Sequence, residues 1–139
     1  MERELEDAYL RTSYWVEAPH KWIRLRAGEV NADLEELLRA RRERTWAFVS
    51  ADNPRSKPLP PSENALRRAE LREAIERLDR VAFPGVGIGD DGDWPPETSF
   101  FVLGIAEPAA VELGRRFGQN AILFGVAGEA PRLLACTPF

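Results

Sequence analysis

The chain has one cysteine, Cys136, and one histidine, His20. A lone cysteine excludes an internal disulfide and a cysteine-based zinc site, and a lone histidine excludes a multi-histidine metal centre. Lysine is almost as scarce, with only Lys21 and Lys57 among 19 basic residues. The arginines alternate with glutamates instead of forming a basic patch, and the formal net charge is -4, which argues against a nucleic-acid partner. No apolar run approaches the roughly 20 residues that a membrane-spanning helix needs. The start Met1-Glu-Arg-Glu-Leu-Glu6 also lacks the basic-then-apolar layout of a signal peptide. These absences lead to the expectation of a cytoplasmic protein with no membrane partner. A small-molecule ligand and a homodimer stay open, and the cofactor is undefined.

What is present is the material of a folded domain: 139 residues, 44% hydrophobic and 30% charged. Residues 2–12 carry Leu5, Ala8, Tyr9 and Thr12 at helical spacing, and Trp22 to Arg26 alternate like a half-exposed strand. Asn31 is suited to cap a helix that buries Leu34, Leu37 and Leu38. From residue 45 the pattern reads strand (45–51), helix capped by Ser62, strand (81–88), strand (98–104), helix from Glu107-Pro108, and strand (120–125). Gly118 falls just past the second of these helices, and 133–136 reads as an edge strand.

The order β-α-β-β-α-β predicts an α+β fold with a ferredoxin-like core over 45–139 and an N-terminal helix-strand-helix extension over 1–44, together one domain, 1–139. Thr45-Trp-Ala-Phe-Val-Ser-Ala51 and Thr98 to Gly104 are apolar almost throughout. Strands of that kind are covered on both faces, so the N-terminal helices or a second subunit are expected on the face opposite the core helices.

Following chain direction through that topology brings three distant stretches to one end of the sheet. They supply Asp52, Asn53, Arg55, Ser56, Glu63, Asn64 and Arg67, then Trp94 and Glu97, then Gln119 and Asn120. A helix N-terminus with Arg55 or Arg67 would hold a phosphate or carboxylate, and Asn53, Asn64, Gln119 and Asn120 would add hydrogen bonds. Glu63 or Glu97 would recognise donors or act as a general base, with or without a divalent metal. Glu63 with Arg67, four residues apart on one helix, also reads as a simple surface pair.

Other motifs point less far. Gly87-Ile-Gly89-Asp-Asp-Gly92 has the letters of a dinucleotide fingerprint, but Asp93-Trp-Pro-Pro follows where a helix should begin. Asp90, Asp91 and Asp93 lack the spacing of a calcium loop and read as an acidic turn. Cys136 and His20 would form a nucleophile pair only if the two ends of the chain met.

Several of these segments carry a family resemblance. Ala8-Tyr9, Trp46 to Pro54, Ser62-Glu63-Asn64, Leu71, Gly87, Trp94-Pro-Pro-Glu97, Ser99-Phe100, Gly104 and Phe117-Gly-Gln-Asn-Ala121 together resemble a bacterial family known only as a domain of unknown function, number 3293. That family more often shows Thr-Ala-Trp-Asn-Pro where this chain has Ser50-Ala51-Asp52-Asn53-Pro54. The resemblance implies a self-contained domain and brings no activity, cofactor or catalytic residue with it. The reading that follows is a module binding an anionic or zwitterionic metabolite at one end of the sheet. The alternatives are a hydrolase or transferase built on Glu97 or Glu63, and a structural or protein-interaction domain.

Overall fold

A computed structural model describes residues 3–92 and 94–136. It has four helices, α1 (Arg3–Leu10), α2 (Ala32–Arg41), α3 (Pro61–Arg77) and α4 (Glu107–Arg116). Seven strands accompany them: β1 (Thr12–Glu17), β2 (Trp22–Leu25), β3 (Thr45–Ser50), β4 (Ala82–Gly89), β5 (Glu97–Leu103), β6 (Ala121–Val126) and β7 (Arg132–Ala135). All seven form one sheet in the order β2-β1-β4-β5-β3-β6-β7, and every neighbouring pair is antiparallel. The fold is therefore mixed α+β.

The strand count differs from the sequence expectation, because the N-terminal extension is helix-strand-strand-helix. Thr12-Ser-Tyr-Trp-Val-Glu17 alternates sides, burying Tyr14 and Val16 on one face, and pairs with β2 as a hairpin. Both strands widen the sheet beyond β4.

Two apolar layers sandwich the sheet. On one side Ala47, Val49 and Val102 meet Leu71, Ala74 and Ile75 of α3 and Ala110 and Leu113 of α4. On the other, Trp46, Phe48, Phe101 and Leu123 meet Leu34 and Leu38 of α2 and Tyr14 and Val16 of β1. Burial on both faces explains why β3 and β5 are apolar without alternation. Asn31 caps α2 by accepting from the Leu34 N–H at 2.9 Å, as its position suggests. Ser62 does not cap α3, which begins one residue earlier at Pro61 on Pro60, where a fixed φ suits the first turn without a side-chain cap.

Four chain ends meet at one edge of this sandwich. The register pairs Ser50 with Ser99, Gly87 with Glu97 and Thr12 with Gly89. The exits of β3 and β4 and the entries of β1 and β5 thus lie together, and α1 enters at the same end. Among the described residues no helix is long and apolar enough to cross a membrane.

Candidate functional site

The loop after β3 is held in an unusual backbone. Asn53, Arg55 and Ser56 all take positive φ (48°, 59° and 60°). Such residues cost of order 1 kcal/mol or more each unless their surroundings fix them, although asparagine tolerates the region best. Here the surroundings are hydrogen bonds. The Asn53 N–H donates to Asn64 Oδ1 at 3.0 Å, while Asn53 Oδ1 accepts from Asn64 Nδ2 at 3.0 Å and from the Leu59 N–H at 3.1 Å. The Arg55 N–H donates to the Gly118 carbonyl at 2.7 Å. Gly118 has φ 69°, and a Cβ there would lie 2.7 Å from that of Pro54, so only glycine lets the turn after α4 approach this loop.

Beneath the loop lies an ion pair whose carboxylate is buried. Asp52 is 2% exposed and accepts two hydrogen bonds from Arg68, at 2.8 and 2.7 Å, and one from the Thr98 N–H at 3.1 Å. Arg67 donates to the backbone carbonyls of Ala51 and Phe117. Gln119, also buried, donates from Nε2 to the carbonyls of Asp52 (3.1 Å) and Phe117 (3.3 Å). Asn120 Nδ2 donates to Ser56 Oγ at 2.9 Å.

On the α1 side of this framework opens a cavity of about 400 Å³. Leu5, Ala8 and Tyr9 of α1 roof it; Tyr14, Phe48, Ser50, Ser99 and Leu123 line it from the sheet; Asn53, Ser56, Trp94, Glu97, Gln119 and Asn120 come from the converging loops. Part of its floor is bare backbone. Gly85, Gly87 and Gly89 occupy alternate positions of β4, hence one face of the sheet. A Cβ on Gly85 would strike the Phe48 ring at 2.6 Å and the Trp15 carbonyl at 2.9 Å, so packing demands glycine there. Gly87 and Gly89 face no such demand. A Cβ on Gly87 would meet nothing closer than 3.9 Å, one on Gly89 nothing within 4 Å, and neither backbone has positive φ. Their missing side chains leave room directly between Tyr14 and Glu97, the two register partners of Gly87.

Glu97 is the carboxylate of this cavity. Its Oε2 accepts from Asn53 Nδ2 at 2.8 Å and from Trp94 Nε1 at 3.1 Å, while among the described residues Oε1 has no hydrogen-bond partner. Burial raises the carboxyl above its ordinary value of 4.5, opposed by the two donors. The Tyr9 phenol on the roof is pushed up to about 12, first by burial and then by the nearby Glu97 charge. A carboxyl raised on folding binds its proton more tightly in the native state, so the stability it contributes at low pH is lost as pH rises through the native value. Replacing Glu97 with Gln keeps an acceptor for Asn53 and Trp94 and removes that titration. The stability of Glu97→Gln relative to wild type is expected to climb as pH rises from about 4 towards neutrality. Thermal melts across that range measure the difference, and a flat one would contradict the burial of Glu97.

The expected residues thus divide. Asn53, Trp94, Glu97, Gln119 and Asn120 meet at the cavity, and Asn64 holds Asn53 from behind. Glu63 is exposed on the first turn of α3 and does not line the cavity, so no Glu63–Glu97 pair forms. Arg55 is exposed and away from the cavity, and Arg67 is engaged by backbone carbonyls instead of pairing with Glu63 or waiting for an anion. The anion site expected at the start of α3 is therefore not assembled. His20, in the β1–β2 turn, and Cys136, after β7, sit at opposite edges of the sheet, and burial raises the Cys136 thiol to about 11. Asp90 of the acidic turn pairs with Arg26 at 2.9 Å, and Asp93 lies outside the described residues. Among the described residues no group of three or more His, Cys, Asp or Glu side chains is placed to hold a metal ion.

The family described as "Protein of unknown function (DUF3293)" matches residues 49–122. The chain belongs to this family. No curated protein and no solved structure matches it. The DUF3293 match contains Asn53, Asn64, Gly87, Trp94, Glu97 and Gln119, so the loop framework, the glycine floor and the carboxylate all fall within it. Tyr9 and Tyr14 precede it and were not among the expected site residues; Tyr14 lies on Thr12–Glu17, which had no place as a strand. The β-branched and aromatic run Thr12-Ser-Tyr-Trp-Val16 ahead of Pro19-His20 was the signal of that hairpin.

Proposed function

We propose that the protein is a small-molecule-binding module whose site is the cavity between α1 and the end of the sheet. The observation that carries this reading is Glu97, half-buried, pinned through one oxygen by Asn53 and Trp94, and set beside a glycine floor that no packing or backbone constraint requires. A cavity of about 400 Å³ lies within the range of roughly 300–1,000 Å³ usual for small-molecule pockets, and apolar walls with a few fixed polar groups are their usual make-up. The adjacency β4-β5-β3-β6, with α3 and α4 on one face, supports a ferredoxin-like reading of the central four strands. On that reading the site sits where β1 and α1 have been added to one side.

The test is to fill the cavity without touching its polar groups. Leucine at Gly87 would project between Tyr14 and Glu97. Ligand-observed NMR with a mixed set of small organic fragments should detect binders to wild type whose signals vanish with Gly87→Leu, at unchanged melting temperature. Fragments that bind both proteins equally would sink the proposal.

A second reading makes Glu97 a general base. Its raised proton affinity favours it, since a carboxylate desolvated by burial abstracts protons better than one in water. Glu97→Gln would then abolish turnover of a substrate while sparing its binding.

A further inference from the structure

We infer that the ligand of this cavity is an organic amine carried on an apolar body, an inference that rests on the binding-module reading and specifies its ligand class. The ground is the balance of donors and acceptors that the protein leaves unengaged. Asn53 Nδ2 and Trp94 Nε1 both donate to Glu97. The hydroxyls of Tyr14, Ser50 and Ser99 donate to the backbone carbonyls of Tyr9, Thr98 and Glu97. The Gln119 amide donates to two carbonyl oxygens, so its orientation is fixed, because a flipped amide would set oxygen against oxygen.

What remains, apart from the Tyr9 and Ser56 hydroxyls, which can donate or accept, is acceptor. Glu97 Oε1 and Gln119 Oε1 have no partner among the described residues, and Gln119 is only 7% exposed. The charges agree: among the described residues that line the cavity, Asp90 is paired with Arg26 at 2.9 Å and Asp91 with Arg11 at 3.4 Å, which leaves Glu97 as the carboxylate without a cation. A carboxylate or phosphate ligand would meet acceptors and negative charge. An ammonium group offers only donors and one positive charge, and its hydrogen bond to a carboxylate is charge-assisted. The rest of the ligand would lie on the bare Gly87–Gly89 backbone, against Tyr14 and Phe48, whose rings meet edge to face at 5.3 Å. Trp94 at the mouth adds an aromatic face suited to a cation.

Three matched probes share one apolar body and differ in the polar group: 2-phenylethylamine, 2-phenylethanol and 3-phenylpropanoate. Titrated into wild type at neutral pH and followed by NMR chemical shifts, the amine is expected to bind on the order of tenfold more tightly than either of the others. That preference should collapse in Glu97→Gln, and all binding should disappear in Gly87→Leu. If the alcohol or the carboxylate binds as well as the amine and remains sensitive to Gly87→Leu, the amine inference is overturned while the cavity reading survives. Binding by none of the three, or binding that ignores Gly87→Leu, overturns both.

Discussion

Gly85→Ala is expected to lower stability by about 2–3 kcal/mol, while Gly87→Ala, two residues along the same face of the same strand, leaves it unchanged or raises it by about 0.5 kcal/mol. The two glycines look alike in the sequence. At Gly85 a new methyl group would overlap the Phe48 ring and the Trp15 carbonyl. The ring is locked against Tyr14, and the carbonyl belongs to a strand paired on both sides, so neither can retreat cheaply. At Gly87 the same methyl group would enter empty space, and the gain is the reduced entropy of the unfolded chain. Urea unfolding of the two variants beside wild type measures the contrast. Equal losses would mean that Gly87 is a packing glycine and that the floor of the cavity is an accident of close contact.

Arg68→Ala is expected to cost about 3 kcal/mol, far more than the loss of an exposed arginine on a helix. Its guanidinium holds both oxygens of Asp52, whose only other side-chain hydrogen bond among the described residues is from the Thr98 N–H. Removing one partner of a buried pair strands the other, at about 3–5 kcal/mol, and the 35% exposure of Arg68 places the effect at the lower end. Arg68→Lys keeps the charge but cannot grip both oxygens and should recover only part of the loss. Chemical denaturation of the three proteins decides it, and a loss below about 1 kcal/mol for Arg68→Ala would show that water reaches Asp52. Because Asp52 also fixes the entry of β5, the weakened variant should loosen the Asn53–Glu97 contact as well.

Much of the architecture was legible in the sequence because periodicity and punctuation agreed. The cap at Asn31, the continuous apolar strands at 45–51 and 98–104, and Gly118 after α4 each rest on local chemistry that tertiary contacts leave intact. The strand Thr12–Glu17 escaped because no glycine or turn residue separates it from the helix before it. The convergence of three loops was readable from chain direction alone. Which of their polar residues would face a cavity was not, because that depends on side-chain partners far apart in sequence. Arg67 looked like an anion ligand and instead ties two backbone carbonyls together. Asp52 stands where the family resemblance led one to expect an aromatic residue, and it works as a buried brace with Arg68. Gly87 and Gly89 of β4 read as letters of a dinucleotide fingerprint that the following residues ruled out. Their role beside Glu97 depends on register, which no window of sequence contains.

The most direct measurement is a crystallographic fragment screen of the wild-type protein with amines, alcohols and carboxylates of similar size. The expected result is fragment density between Glu97 and the Gly87–Gly89 floor, with an amine nitrogen within hydrogen-bonding reach of Glu97 Oε1. Fragments gathered on other surfaces, with Tyr9, Tyr14 and Trp94 closed over an empty cavity, would contradict the claim that this end of the sheet is a binding site.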